Sequence, residues 1–346
     1  MNKQRILLIL VLSVLLTLFS CDDRERHLVR QSGPSITVIT STGNLGDNGY
    51  NDLIFEGIIH FATKNDLSLS LVSPKDKQEA QGALQEWITA RSYSKKSLLI
   101  MASSEYETLF TSNFPEIDKS KNVLLFESDK KDMPEGVFTL SLRRYGASYL
   151  CGSMASECPE AYVIAACPND STINLAIKGF QQGYKTASGK TAEIIYLSDD
   201  ADGYSNPEDA YSVTKSLPDN AFIFPLAGGS NNGIYKFVRE NMFTGILVAG
   251  MDVDCSPFST RTPYSLILNI DEVLNDFLDK WLEGKIVDKH TEGGLSDGFV
   301  NVNVNSTFFE NIIVWEEYYD SVDYWQQMYD KYYQSALDAE RSYYEK

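Results

Sequence analysis

"ITVITSTGNLGDNGYNDLIFEGIIHFATKNDLSLSLV" (residues 36–72) decides the fold. It opens with a β-branched run (36–40), passes through a turn rich in Gly, Asn and Asp, and becomes apolar at helical spacing in "YNDLIFEGIIHFATK". A second short apolar run closes it at 67–72. Strand, helix and strand in that order make a βαβ unit, and such units build parallel sheets. Outward from it, "SLLIMA" (97–102), "NVLLFES" (122–128) and "GVFTLSL" (136–142) read as further strands, with a helix in "EAQGALQEWITARS". The pattern then restarts. "AYVIAAC" (161–167), "AEIIYLS" (192–198), "AFIFPLA" (221–227) and "GILVAGMD" (245–252) are strands, and 173–187 and 231–241 are helices between them. Two successive α/β lobes predict a bilobal molecule whose cleft lies outside the carboxyl ends of the strands.

The N-terminus carries a separate signal. "MNKQR" is basic, "ILLILVLSVLLTLF" is an apolar run too short for a comfortable span, and "LFSC" ends at Cys21. This is the layout of a lipoprotein signal peptide over 1–20, with Cys21 as the lipidation site bearing diacylglycerol and an N-acyl chain, which together give stable membrane anchoring. Residues 21–34, charged and ending in Ser-Gly-Pro, read as a tether. The expected location is the bacterial cell envelope, lipid-anchored to a membrane.

The full chain has 346 residues and a formal net charge of −18. Loss of residues 1–20 removes Lys3 and Arg5 and no acids, which takes the charge near −20. Such an excess argues against nucleic acid as a partner. After Cys21 come Cys151, Cys158, Cys167 and Cys255, whose spacing matches no zinc pattern. The three histidines are scattered, so no metal and no cofactor is expected. The four thiols are read as buried and free. In the tail, Val322, Trp325, Tyr329, Tyr332 and Ala336 recur at helical spacing, a face that packs on the core.

The cleft is predicted from the loops that follow strands. After the first strand, "GNLGDNGYND" offers acceptors and an amide at Asp47 and Asn51 and a flat ring at Tyr50; a plain helix cap is the competing reading. Ser103, after the third strand, is either a ligand hydroxyl or a cap. In the second lobe, "DDADGYSNPEDA" presents Tyr204, "AGGSNNG" presents Gly228 and backbone amides, and "GMDVD" presents Asp252, placed to accept from vicinal hydroxyls.

"GDNGYNDLIFEGI", "NVLLFESD", "RRYGASYLCGSMAS", "IKGFQQGYK", "FPLAGGSNNGIYKFVREN" and "GILVAGMDVD", in this order, resemble the basic membrane protein family of lipoproteins. That family includes purine nucleoside receptors, substrate-binding proteins of ABC importers. The resemblance implies a type 1 periplasmic-binding-protein-like α/β fold: two doubly wound parallel-sheet lobes, three crossovers and a ligand cleft. The lobes are expected at 35–142 plus about 268–300 and at 143–267 plus about 301–346. The family's D-x-x-F-N turn matches Asp47, Tyr50 and Asn51. Tyr204 falls where it has a second stacking aromatic, Gly228 and Gly229 match its glycine loop, and Asp252 falls at its ribose-hydroxyl partner. The resemblance therefore implies a purine held between Tyr50 and Tyr204, a small-molecule ligand (a nucleoside) and an ABC permease as partners. Three positions depart from the pattern: Leu268 stands where lysine is expected, both aromatics are Tyr rather than Phe, and Cys255 replaces a frequent glutamine.

Two other readings stay open: a sugar or other non-purine ligand in the same fold, and an enzyme acting on a nucleoside. The enzyme would need a nucleophile–base pair, paired carboxylates or a metal cluster. "DDADG" lacks the remaining positions of a calcium loop, so no catalytic residue is assigned.

Overall fold

The computed structural model describes residues 33–43, 45–91, 94–111, 113–241, 243–259, 261–305, 308 and 322–345. The leader, Cys21 and all of the tether but Gly33 and Pro34 lie outside the described residues.

The deciding stretch folds as β1 (Ser35–Ile39), α1 (Tyr50–Lys64) and β2 (Ser68–Val72). The chain continues through α2 (Lys77–Thr89), β3 (Ser97–Met101), β4 (Lys121–Phe126) and β5 (Val137–Leu142). These strands, with β12 (His290–Gly293) from far along the chain, form one parallel sheet in the order β12-β5-β4-β3-β1-β2. Leu98, Leu99, Ile100 and Met101 of β3 are all fully buried. A strand covered on both faces is apolar throughout rather than alternating, as a parallel sheet requires.

The second half repeats the plan with α3 (Tyr145–Met154), β6 (Glu160–Ala165), α4 (Ser171–Ser188), β7 (Glu193–Tyr196), α5 (Pro207–Ser216), β8 (Ala221–Leu226), α6 (Asn231–Glu240) and β9 (Leu247–Val248). The parallel sheet is ordered β7-β6-β8-β9. Beyond it, β10 (Gly250–Asp252), β11 (Tyr264–Leu268) and β13 (Val300–Val304) make a short mixed sheet, β13 running antiparallel to β11. The strand expected over 245–252 is thus two, parted at Ala249, whose N–H donates to the Ile223 carbonyl at 2.9 Å. The chain passes between the halves three times: Leu142–Tyr145, Leu268–Ile270 and Gly293–Val300. At the second crossing α7 (Ile270–Glu283), a helix the sequence reading does not name, returns to pack on α1 of the first sheet.

Two packings hold the crossings together. Helices α3 and α4 lie backbone to backbone: a Cβ on Gly152 would sit 2.0 Å from the Phe180 carbonyl, and one on Gly183 2.0 Å from that of Tyr149. The last helix, α8 (Val322–Tyr344), lies against α3. Trp325 and Ala336 of the expected face are buried, and Tyr343 stacks on Tyr145 at 4.2 Å between ring centroids. The Glu340 carboxylate, itself buried, accepts from the Leu295 N–H (3.0 Å), the Ser296 N–H (3.2 Å) and the Ser296 hydroxyl (3.2 Å) in the third crossing. A Cβ on Gly146 or Gly294 would occupy its place. The four described cysteines are free, Cys151, Cys167 and Cys255 buried and Cys158 partly so. No described helix is long and apolar enough to cross a membrane.

Candidate functional site

The turn between β1 and α1 is built around Asp47. Its carboxylate accepts from the Gly49 N–H (3.0 Å), the Asn51 N–H (3.1 Å) and the Asn51 amide (2.8 Å), while the Asn51 carbonyl oxygen accepts from the Ser41 hydroxyl (2.7 Å). Asp47 thereby caps the first turn of the helix, and Asn51 ties Asp47 to Ser41 and rigidifies the turn. Asp47 also lines the cavity described below, and Asn51 does not. Ser103 caps the 3₁₀ turn Ser104–Leu109, accepting from the Glu105 N–H at 3.3 Å, and is likewise not a cavity residue. For Asp47 and Ser103, capping, the competing reading, describes what these oxygens do in the fold.

Tyr50 is held differently. Its ring is partly exposed, but its hydroxyl is buried with no hydrogen-bond partner. Burial, with the nearby Glu127 charge adding, pushes that hydroxyl well above the usual tyrosine range. The Arg144 guanidinium lies 5.8 Å from the ring centroid, within cation–π reach.

From the second half come Tyr204, Gly228 and Asp252. The Tyr204 hydroxyl donates to Asp170 at 2.8 Å, and Asp170 also caps α4 through the Thr172 and Ile173 N–H groups. Gly228 has φ +52°, and a Cβ there would lie 2.9 Å from the Tyr204 ring, so this position needs glycine for both conformation and space. Asp252 ends β10 with φ +67°, and its carboxylate faces the backbone N–H of Tyr50, which favours its charged form. It comes so close to the first turn that a Cβ on Gly49 would be 3.2 Å from its Oδ2. Burial pushes the Asp252 carboxyl up to about 7, with Asp47 and Glu127 adding to the rise and Arg144 opposing it.

Asp47, Asn48, Gly49, Gly228 and Asp252 enclose a cavity of about 10 Å³ floored by Tyr235, Met251, Cys255 and Phe258. That is space for about one water, against the roughly 300–1,000 Å³ of a small-molecule pocket. Around these residues the two halves are closed on each other. Of the positions expected at the cleft, the fold gathers Asp47, Tyr50, Tyr204, Gly228 and Asp252.

Two groups here escape sequence reading. Arg144, at the first crossing, gives Glu127 a two-pronged ion pair (2.9 and 2.8 Å) with side chains 8% and 6% exposed. Burial pulls the guanidinium down, but the Glu127 charge and hydrogen bonds outweigh it and hold the group protonated. Glu127, at the end of β4, has φ +58°. The signal was a charged residue directly after an apolar strand in "LLFESD" and an arginine pair at the next strand's end. Leu268 is buried in the core, so the lysine position offers the cleft no cation. Among the described residues, no group of three or more His, Cys, Asp or Glu could hold a metal ion.

This geometry has relatives. The chain is 23% identical over 251 residues to the CD4+ T-cell-stimulating antigen of Listeria monocytogenes, a match covering 68% of this chain and 67% of that protein. Its fold is similar to a solute-binding protein of an ABC transporter system from Aeropyrum pernix (TM-score 0.70, 14% identity, 89% of this chain and 90% of that one). It is also similar to a transcriptional activator of the comK gene from Bacillus halodurans (TM-score 0.62, 18% identity, 88% and 98%). These likenesses establish the type 1 periplasmic-binding-protein fold. Residues 35–335 match the family model Bmp, described as ABC transporter substrate-binding protein PnrA-like, and the chain belongs to that family of solute-binding proteins that deliver small molecules to ABC permeases.

Proposed function

We propose that this protein captures a nucleoside, most fittingly a purine nucleoside, and presents it to an ABC importer from a lipid anchor at Cys21. The lobes in this reading are 35–142 with about 268–300, and 143–267 with about 301–346. The observation that carries it is the Asp252 carboxylate of one half pressed against Gly49 and the Tyr50 N–H of the other. An acceptor for vicinal hydroxyls and an aromatic face for a base thereby belong to one site. On opening, Tyr50 and Tyr204 present a ring from each half, and each stacking pair adds on the order of 0.5–1.5 kcal/mol beyond burial. Asp47 and Asn51 bound the base edge, Gly228 leaves room beside Tyr204, and Ser103 stands farther back as a polar contact.

A sugar ligand in the same cleft is the second reading. It is supported by the hydroxyls on both aromatics and by the burial of Leu268 where the resemblance expects a lysine. The family is one of substrate-binding proteins, which supports capture rather than chemistry as the reading.

Thermal-shift titration with inosine, guanosine, adenosine, cytidine and ribose separates these. Binding raises stability by RT ln(1 + [L]/Kd), about 2.7 kcal/mol at roughly 100 Kd. Stabilisation by purine nucleosides supports the first reading, and stabilisation by ribose alone supports the second. No shift with any purine nucleoside would sink the first. Asp252→Ala should abolish riboside binding while sparing free bases.

A further inference from the structure

Two acidic residues of the site share an uncommon conformation. Glu127 (φ +58°) and Asp252 (φ +67°) end strands of different sheets in the left-handed region, which side-chain-bearing residues rarely adopt. Strained backbone of this kind persists only where surrounding structure enforces it, and it clusters at functional sites. One cation serves this corner: Arg144 grips Glu127 through two hydrogen bonds and lies over the ring of Tyr50, whose neighbour Gly49 packs against the Asp252 carboxylate, so that its charge also favours ionised Asp252. A third hydrogen bond, to the Leu142 carbonyl at 3.2 Å, ties the guanidinium to the crossing that joins the two halves. With its donors engaged this way, the guanidinium acts through its neighbours.

We propose that Arg144 is a positioning residue of the ligand site, its guanidinium supplying the countercharge for the two carboxylates, Glu127 and Asp252, that the closed fold gathers around Tyr50. The proposal rests on the reading in which Asp252 accepts ligand hydroxyls. An ionised carboxylate accepts two hydrogen bonds from a vicinal diol, and a protonated one loses part of that capacity. The groups acting on Asp252 are Arg144, Asp47, Glu127 and the Tyr50 N–H, and its charge in turn acts on Tyr235 and Cys255. Arg144 is the cation among them. It opposes the desolvation that closure imposes, so that a larger share of Asp252 is ionised near neutral pH than burial alone would leave.

The test measures Asp252 directly. Carboxyl carbon NMR of the aspartate-labelled protein, with the Asp252 signal assigned by difference against Asp252→Asn, follows its titration. Calorimetry with inosine and with free hypoxanthine from pH 5 to 9 reads ligand capture. Arg144→Met should raise the Asp252 midpoint by about one unit, the low end for loss of an opposite charge. It should also move the acid-side loss of inosine affinity upward in parallel, while hypoxanthine binding keeps its pH profile. Because Arg144→Met leaves Glu127 buried and unpaired, Arg144→Met/Glu127→Gln serves as the fold-safe variant, with a shift of the same sign. Arg144→Lys should restore the wild-type profile in large part. An unmoved Asp252 midpoint, or a uniform fall in affinity with an unchanged pH profile, overturns the proposal. If the midpoint rises but the wild type binds no riboside, the nucleoside reading fails and the role of Arg144 stands.

Discussion

Asp252 combines a left-handed backbone with a carboxyl taken out of water by the opposite half of the molecule. Since its folded value, about 7, lies above the ordinary carboxylate value of 3.8, the folded state holds more protons than the unfolded one between these limits. Stability therefore falls as pH rises from about 4 to about 7, and the penalty is fully expressed above that. Its side chain is partly rather than wholly sealed, so water screens some of the penalty, leaving on the order of 1–3 kcal/mol. Asn tolerates the left-handed region as well as Asp does. Asp252→Asn should accordingly melt above the wild type at pH 8 and converge on it near pH 4, as scanning calorimetry can check. The same variant should lose the ligand-induced shift, since an uncharged amide is a weaker acceptor for two hydroxyls. Higher stability with lower affinity from one substitution is the signature of a site strained for binding.

Among the helices, glycine has two opposite roles. Gly183 lets α4 meet the α3 backbone, and Gly183→Ala should cost about 1–3 kcal/mol in denaturant unfolding because two main chains must separate. Gly82 of α2 has nothing within 4 Å, and Gly82→Ala should gain about 0.5–1 kcal/mol through helix propensity. Both glycines sit in helix-patterned sequence, and only the fold tells them apart. The same divide runs through the rest of the molecule. Strands such as 97–102 and 221–227 were readable because a strand buried on both faces is a nearly continuous apolar run. The placement of Tyr204, Gly228 and Asp252 at the candidate site was readable because strand-end loops face the cleft. Arg144 and Glu127 were not, because a charge pair in loops looks the same in sequence whether solvated or buried. Ser103 was ambiguous for a related reason, since cap and ligand hydroxyl draw on the same residue types. The Glu340 carboxylate was invisible within a tail rich in acids. Glu340→Ala should cost about 2–3 kcal/mol by the same measurement, because it strands buried donors in the third crossing.

At the scale of the whole molecule, the proposed function places the ligand at a 10 Å³ cavity between two halves and so requires opening for its entry. Opening returns Asp252 to water, so raising the pH should favour the open form. Small-angle scattering of the ligand-free protein should show a larger radius of gyration at pH 8 than at pH 5. A saturating ligand should contract it at either pH, and Asp252→Asn should flatten the pH dependence. The strand order has a different consequence. β12 pairs with β5, so the sheet that begins at Ser35 is completed only when residues 290–293 arrive. A ribosome releases the chain from its first residue onward, and five of the six strands are present long before the sixth. Through that interval β5 presents an unpaired edge, open to wrong partners, and the loop to be closed spans nearly 150 residues. The first sheet therefore has its full set of strands only once residues 290–293 have been made.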